Sequence, residues 1–93
     1  MRHLNLIGPQ LGKLRFQHDW SQIDLAIKLQ LIGFDVDRST VAKIEARLVW
    51  VGDWQIFYFT RVFKVSFYEI FPPLDPHEPK IHDTLTKLMN TSW

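Results

Sequence analysis

The chain contains no cysteine, which removes disulfides, thiolate metal sites and cysteine nucleophiles together. Small secreted domains usually lean on such staples, so the expected compartment is the reducing cytoplasm. Also missing is any apolar run of the roughly 18 residues that a membrane-spanning helix needs. After Met1, residues 1–8 offer only Leu4, Leu6 and Ile7 as apolar material and do not read as a signal peptide. The glycines are scattered and form no phosphate-binding loop. His3, His18, His77 and His82 lack metal-ligand spacing, and neither His18-Asp19 nor His82-Asp83 stands beside a nucleophile pattern. The sequence therefore leads us to expect no enzyme activity, no metal, no cofactor and no small-molecule ligand. An excess of charge is absent too. Eleven Lys and Arg stand against ten Asp and Glu, a net +1. Charge alone names no partner.

What is present is apolar material: 46% of the 93 residues are hydrophobic and 14% are aromatic. That suffices for one small domain with its own core and is too short for two. One composition break divides the chain, where residues 72–79 carry four prolines in eight positions. No helix interior tolerates this, so residues 4–71 read as the body and residues 72–93 as a stiff linker with a short C-terminal segment. In that segment Ile81, Leu85 and Leu88, with Met89, give a modest amphipathic helix over residues 80–90.

Within the body no stretch alternates with period two, and the pattern predicts five short helices. Pro9 suits the first turn of one running to about Gln17. Ser21, with Asp24 three residues on, opens a second, in which Ile23, Leu25, Ala26, Leu29 and Ile32 form a stripe that Gly33 stops. Asp37 caps a third, with Thr40, Val41, Ile44 and Leu48 on one face. A fourth begins at Gly52-Asp53 and runs through Val65. Ser66-Phe67-Tyr68-Glu69 starts a fifth, closed by Pro72 and Pro73.

The second and third segments carry Ser21-Gln22-x-x-Leu25-Ala26-x-x-Leu29, a turn, then Arg38-Ser39-Thr40-Val41-x-Lys43-Ile44-Glu45. This pairing resembles the Xre/Cro-type, lambda-repressor-like helix-turn-helix family. Residues 53–71 are similar to that family's fourth and fifth helices, down to Val65-Ser66-x-x-Glu69-Ile70-Phe71. The resemblance implies an all-α, five-helix DNA-binding domain with a short C-terminal extension. It implies a cytoplasmic transcriptional regulator, a repressor, whose partner is double-stranded DNA.

It also assigns roles. Arg38, Ser39, Ala42 and Lys43 would face base edges, because an α-helix fits the major groove, where each base pair shows a distinct pattern. Gln22 would meet a phosphate, and Thr40 would add another such contact. Arg15 and Glu45 would form an ion pair that orients the third helix without touching DNA. The interval from Ala26 to Glu45 is longer than the family pattern, the excess lying in residues 30–36. That predicts a longer second helix and a wider turn, bringing Asp35 and Asp37 near the groove. Lys64 stands where the family often has glycine, which predicts a left-handed residue or a different helix ending. The fourth helix is apolar nearly all round and needs a second cover. A homodimer through Trp50, Trp54 and Tyr58 is the preferred cover, and the C-terminal segment is the other. The competing reading is a protein-interaction module, such as an antitoxin-like subunit, whose aromatic surface binds a partner.

Overall fold

A computed structural model describes residues 3–73 of the chain. The linker beyond Pro73 and the amphipathic stretch at residues 80–90 lie outside the described residues. Those described are all-α: α1 (Gly8–Gln17), α2 (Gln22–Leu31), α3 (Arg38–Glu45) and α4 (Asp53–Phe63), then a single 3-10 turn at Phe67–Ile70. No helix among them is long and apolar enough to cross a membrane.

Each helix start has an identifiable cause. Asn5 Oδ1 accepts the Gly8 N–H at 2.9 Å as α1 begins, with Pro9 in the first turn. Before α2, Ser21 and Asp24 satisfy each other's backbone N–H groups at 2.8 and 3.0 Å. Asp37 Oδ1 accepts the Thr40 N–H at 2.8 Å and so caps α3. Gln55 reaches back to the Gly52 N–H at 2.8 Å ahead of α4.

The helix ends are less conventional. Only Gly33, with φ 106°, gives the end of α2 a glycine. Asp19, Arg47 and Lys64 take positive φ after α1, α3 and α4 without being glycine. Lys64 (φ 56°, ψ 46°) ends α4 two residues earlier than the sequence pattern predicts. A side chain in this region is disfavoured by its Cβ, and glycine is not. Lys64→Gly should therefore raise stability by about 0.5–1 kcal/mol, measured by urea denaturation. An unchanged or lower midpoint would mean that Lys64 gains something in place that offsets its backbone.

The expected fifth helix is instead the 3-10 turn. Pro72 holds Phe71 extended (φ −90°, ψ 148°), and only four residues remain after the Ser66 start. That is too short for a run of i→i+4 bonds, so the tighter i→i+3 pattern closes it. Of the expected capping box, the reach of Glu69 to the Ser66 N–H at 2.6 Å forms.

The core gathers Leu11 and Leu14 of α1, Leu25, Ala26 and Leu29 of α2, Val41 and Ile44 of α3, and Ile56, Phe59 and Phe63 of α4. Ile70 is fully buried beside them. Two expected stripe members fall outside this set: Ile23 is 53% exposed and Ile32 43%. Ile23 lies two residues from Leu25, about 200° round the helix, and faces away from the core. Leu48 lies beyond the end of α3 and is exposed as well. The vacated core positions are filled from the α2–α3 connection, where Gly33 turns the chain and Phe34 and Val36 plunge inward.

Two further contacts set α3 in place. α1 and α3 approach so closely at Gly8 that a Cβ there would sit 2.6 Å from the Ile44 and Glu45 carbonyl oxygens. Asn5, 5% exposed, donates to the Ile44 and Val49 carbonyls at 3.1 and 3.0 Å. The N-terminal segment thus grips the C-terminal end of α3 and the chain that leaves it.

Candidate nucleic-acid interface

α3 is two-faced. Val41 and Ile44 are buried against α1 and α2, while Arg38, Ser39 and Lys43 stand exposed on the outer side. Residues 38–39 and 42–43 are one helical turn apart and line a single strip. Within it Ala42 is half-buried, and Thr40 is half-buried on the flank of α3. Gln22, the first residue of α2, is half-buried beside it, and Arg38 Nη1 donates to Gln22 Oε1 at 3.2 Å. The structure therefore brings Gln22 beside Arg38 and sets Arg38, Ser39 and Lys43 on the exposed side of α3, while Thr40, about 200° round the helix from Arg38, lies on its opposite flank.

The Arg15–Glu45 pair forms. Arg15 Nε and Nη2 grip the two Glu45 oxygens at 2.8 and 3.0 Å, and Arg15 Nη1 donates to the Trp20 carbonyl at 2.9 Å. The side chains are 11% and 12% exposed. Hydrogen bonding to Glu45 raises the Arg15 pKa further above its ordinary value. Gln22 Nε2 also donates to Glu45 Oε1, at 3.3 Å. One carboxylate at the end of α3 therefore ties that helix to α1 and to the start of α2.

The acidic residues near this side are disposed differently. The Thr40 N–H that Asp37 accepts holds its carboxyl below the usual carboxylate range. Asp37 thus stays ionised and complements the positive N-terminal end of α3. The bond from the Ser21 N–H lowers Asp24 in the same way at the start of α2. Asp35 is exposed in the connection.

Apolar side chains make up much of the remaining surface. Trp50 and Trp54 are 52% and 56% exposed, and Tyr58 is half-buried. The rings of Trp54, Tyr58 and Phe34 meet edge-on or tilted at 5.2–6.1 Å, and Phe57 stands beside Tyr58. On α2, Ile23, Ile27 and Leu31 form a second outward stripe, with Leu31 80% exposed. No group of three or more His, Asp or Glu side chains suited to a metal ion occurs among the described residues.

The sequence pattern missed the anchors of this side. Asn5 and Gly8 precede every motif, and neither type marks a site by itself. Their only sequence signal is a polar residue and a glycine just ahead of the first helical stripe. Comparison of the chain with protein-family models, curated proteins and solved structures found no match.

Proposed function

We propose that this chain is a sequence-specific DNA-binding transcriptional regulator, a cytoplasmic repressor of lambda-repressor-like architecture. α2, the turn and α3 act as a helix-turn-helix that sets α3 in the major groove. The observation that carries this reading is the outer strip of α3. Arg38, Ser39 and Lys43 project from a helix whose opposite face is locked into the core, beside the N-terminus of α2. A forked guanidinium matches guanine O6 and N7, and one such matched contact is worth about 1–3 kcal/mol of discrimination. Lys43 supplies charge toward a base edge or phosphate, Ser39 and Thr40 supply hydroxyls, and Ala42 suits a thymine methyl. With a net charge of only +1, few phosphates are neutralised and affinity falls gently with salt.

The partner copy in this reading covers the Trp50, Trp54 and Tyr58 side. A two-fold dimer sets its reading helices about 34 Å apart, on successive turns of the duplex. Light scattering at micromolar concentration should give twice the chain mass.

Selection from a random duplex pool at low salt tests the reading. A two-fold-symmetric motif should be enriched. Arg38→Ala combined with Lys43→Ala should weaken binding to it by at least about a hundredfold while leaving circular dichroism unchanged. A folded wild-type chain that enriches no sequence would overturn the reading.

A second reading is favoured by the apolar surface: a protein-interaction module, such as an antitoxin-like subunit, on the same scaffold. Leu31, Ile27, Trp54 and Phe57 are large apolar side chains each about half exposed or more, the kind of surface a partner can cover. In that case the Arg38 and Lys43 replacements leave partner capture intact.

A further inference from the structure

We propose that the outer face of α2 is a self-association surface that takes α2 of a second copy, antiparallel, about a two-fold axis. It is distinct from the Trp50, Trp54 and Tyr58 side and does not depend on the DNA-binding reading. α2 already commits Leu25, Ala26 and Leu29 to the core. On its other side Ile23, Ile27 and Leu31 follow at i, i+4 and i+8 and are 53%, 49% and 80% exposed. Single apolar residues on a surface are ordinary. Three in one ridge give a neighbouring helix a row of side chains to pack against.

The charges beside the ridge say which partner fits. Asp24 and Lys28 lie on one flank, one helical turn apart, and Gln30 lies on the other. A two-fold axis through Ile27, perpendicular to the helix, keeps each flank on its own side and reverses its direction. Asp24 of one copy then falls beside Lys28 of the other, about 3 Å away along the helix, and the pairing occurs twice. A parallel two-fold pair would instead set Asp24 against Gln30 and leave both charges unmatched. One Asp24 oxygen accepts the Ser21 N–H at 2.8 Å, and the carboxylate has a second to offer. The Lys28 ammonium rests over the Trp20 ring at 4.7 Å, a neutral face that leaves its charge for a carboxylate to match.

Exposed ion pairs add little strength, so these fix the orientation while the ridge supplies the contact. Three aliphatic side chains from each copy make a small interface, so the association is weak and builds above the micromolar range. A chain that also pairs through the aromatic side of α4 then carries two self-complementary patches, and its dimers join into larger assemblies.

The chain has no cysteine, so a single introduced one reports the contact directly. In Ile27→Cys two thiols meet across the axis and form a disulfide under mild oxidation. Linking should be at least about tenfold faster than for Lys13→Cys, which is also exposed but lies on α1. Adding Lys28→Glu to Ile27→Cys sets like charges across the contact. Linking should then slow about tenfold, and high salt should restore part of it. Sedimentation equilibrium of the unaltered chain should give a mass that at least doubles between the micromolar and millimolar ranges. Ile27→Lys should remove that rise and leave circular dichroism unchanged. Equal linking rates for the two cysteine variants, or a mass that does not rise, would overturn the proposal and leave the ridge to residues 80–90 or to a different protein. Linking that ignores Lys28→Glu would overturn the antiparallel pairing, and the proposal with it.

Discussion

Asn5→Leu is expected to lower stability by about 3–5 kcal/mol, although leucine has the same heavy-atom branching as asparagine and suits a buried position. The side chain is 5% exposed and makes three bonds: it donates to the Ile44 and Val49 carbonyls and accepts the Gly8 N–H. Leucine takes this partner from the Gly8 N–H and the Val49 carbonyl, at about 1–3 kcal/mol for each one buried, while the Ile44 carbonyl keeps the Arg47 N–H at 3.0 Å. In a domain this small every kcal/mol moves the thermal midpoint by roughly 4–8 °C, so a fall of roughly 12 °C or more is predicted. Thermal melting by circular dichroism reads it directly. A midpoint within a few degrees of wild type would mean that water takes over these groups and that the clasp on α3 is dispensable.

Glu45→Gln is expected to lower stability by about 3 kcal/mol. An exposed ion pair contributes well under 1 kcal/mol, because water and salt screen it and two long side chains must be held still. The Arg15–Glu45 pair is of the other kind, at 11% and 12% exposure with two-pronged geometry. Removing one charge leaves the Arg15 guanidinium largely out of water with a neutral partner, the costly way to break such a pair. Chemical denaturation in low and high salt checks both points. The loss should persist in high salt, since charges this sheltered are weakly screened. A difference that vanishes on adding salt would place the pair at the surface in solution.

Helix existence and the α1–α3 pairing were legible in the sequence for different reasons. The Ser21 and Asp37 caps act within three residues of their targets, so a local reading suffices, and both form as expected. Arg15 and Glu45 are 30 residues apart and were paired only through the family resemblance. The positions that failed were those where tertiary packing overrides local pattern. Ile23, Ile32 and Leu48 read as core members because their types are apolar, yet the geometry of α2 and the early end of α3 turn them outward. Phe34 and Val36 read as connection residues, yet the Gly33 turn drops them into the core. Asn5 bonds across 39 and 44 residues, a distance that no window of local sequence spans. On the candidate interface, the residue types on α3 were legible. The engagement of Gln22 by two neighbours was not, because it depends on three side chains from two helices meeting at one point.

Among the described residues the tryptophans fall into two optical environments. Trp20 stacks on Phe63 at 5.5 Å, lies 4.5 Å from the His18 ring and carries the Lys28 ammonium over its face at 4.7 Å. Its ring is half-buried, with protein on the packed side that includes a cation and an imidazole. Trp50 and Trp54 instead show about half their surface to solvent, whose dipoles relax around an excited indole and shift its emission to the red. Trp20 thus reports on the integrity of the packed helices. Trp50 and Trp54 report on whatever comes to rest against the aromatic side of α4, so in a chain whose Trp93 is replaced by phenylalanine emission colour separates unfolding from contact without an added label.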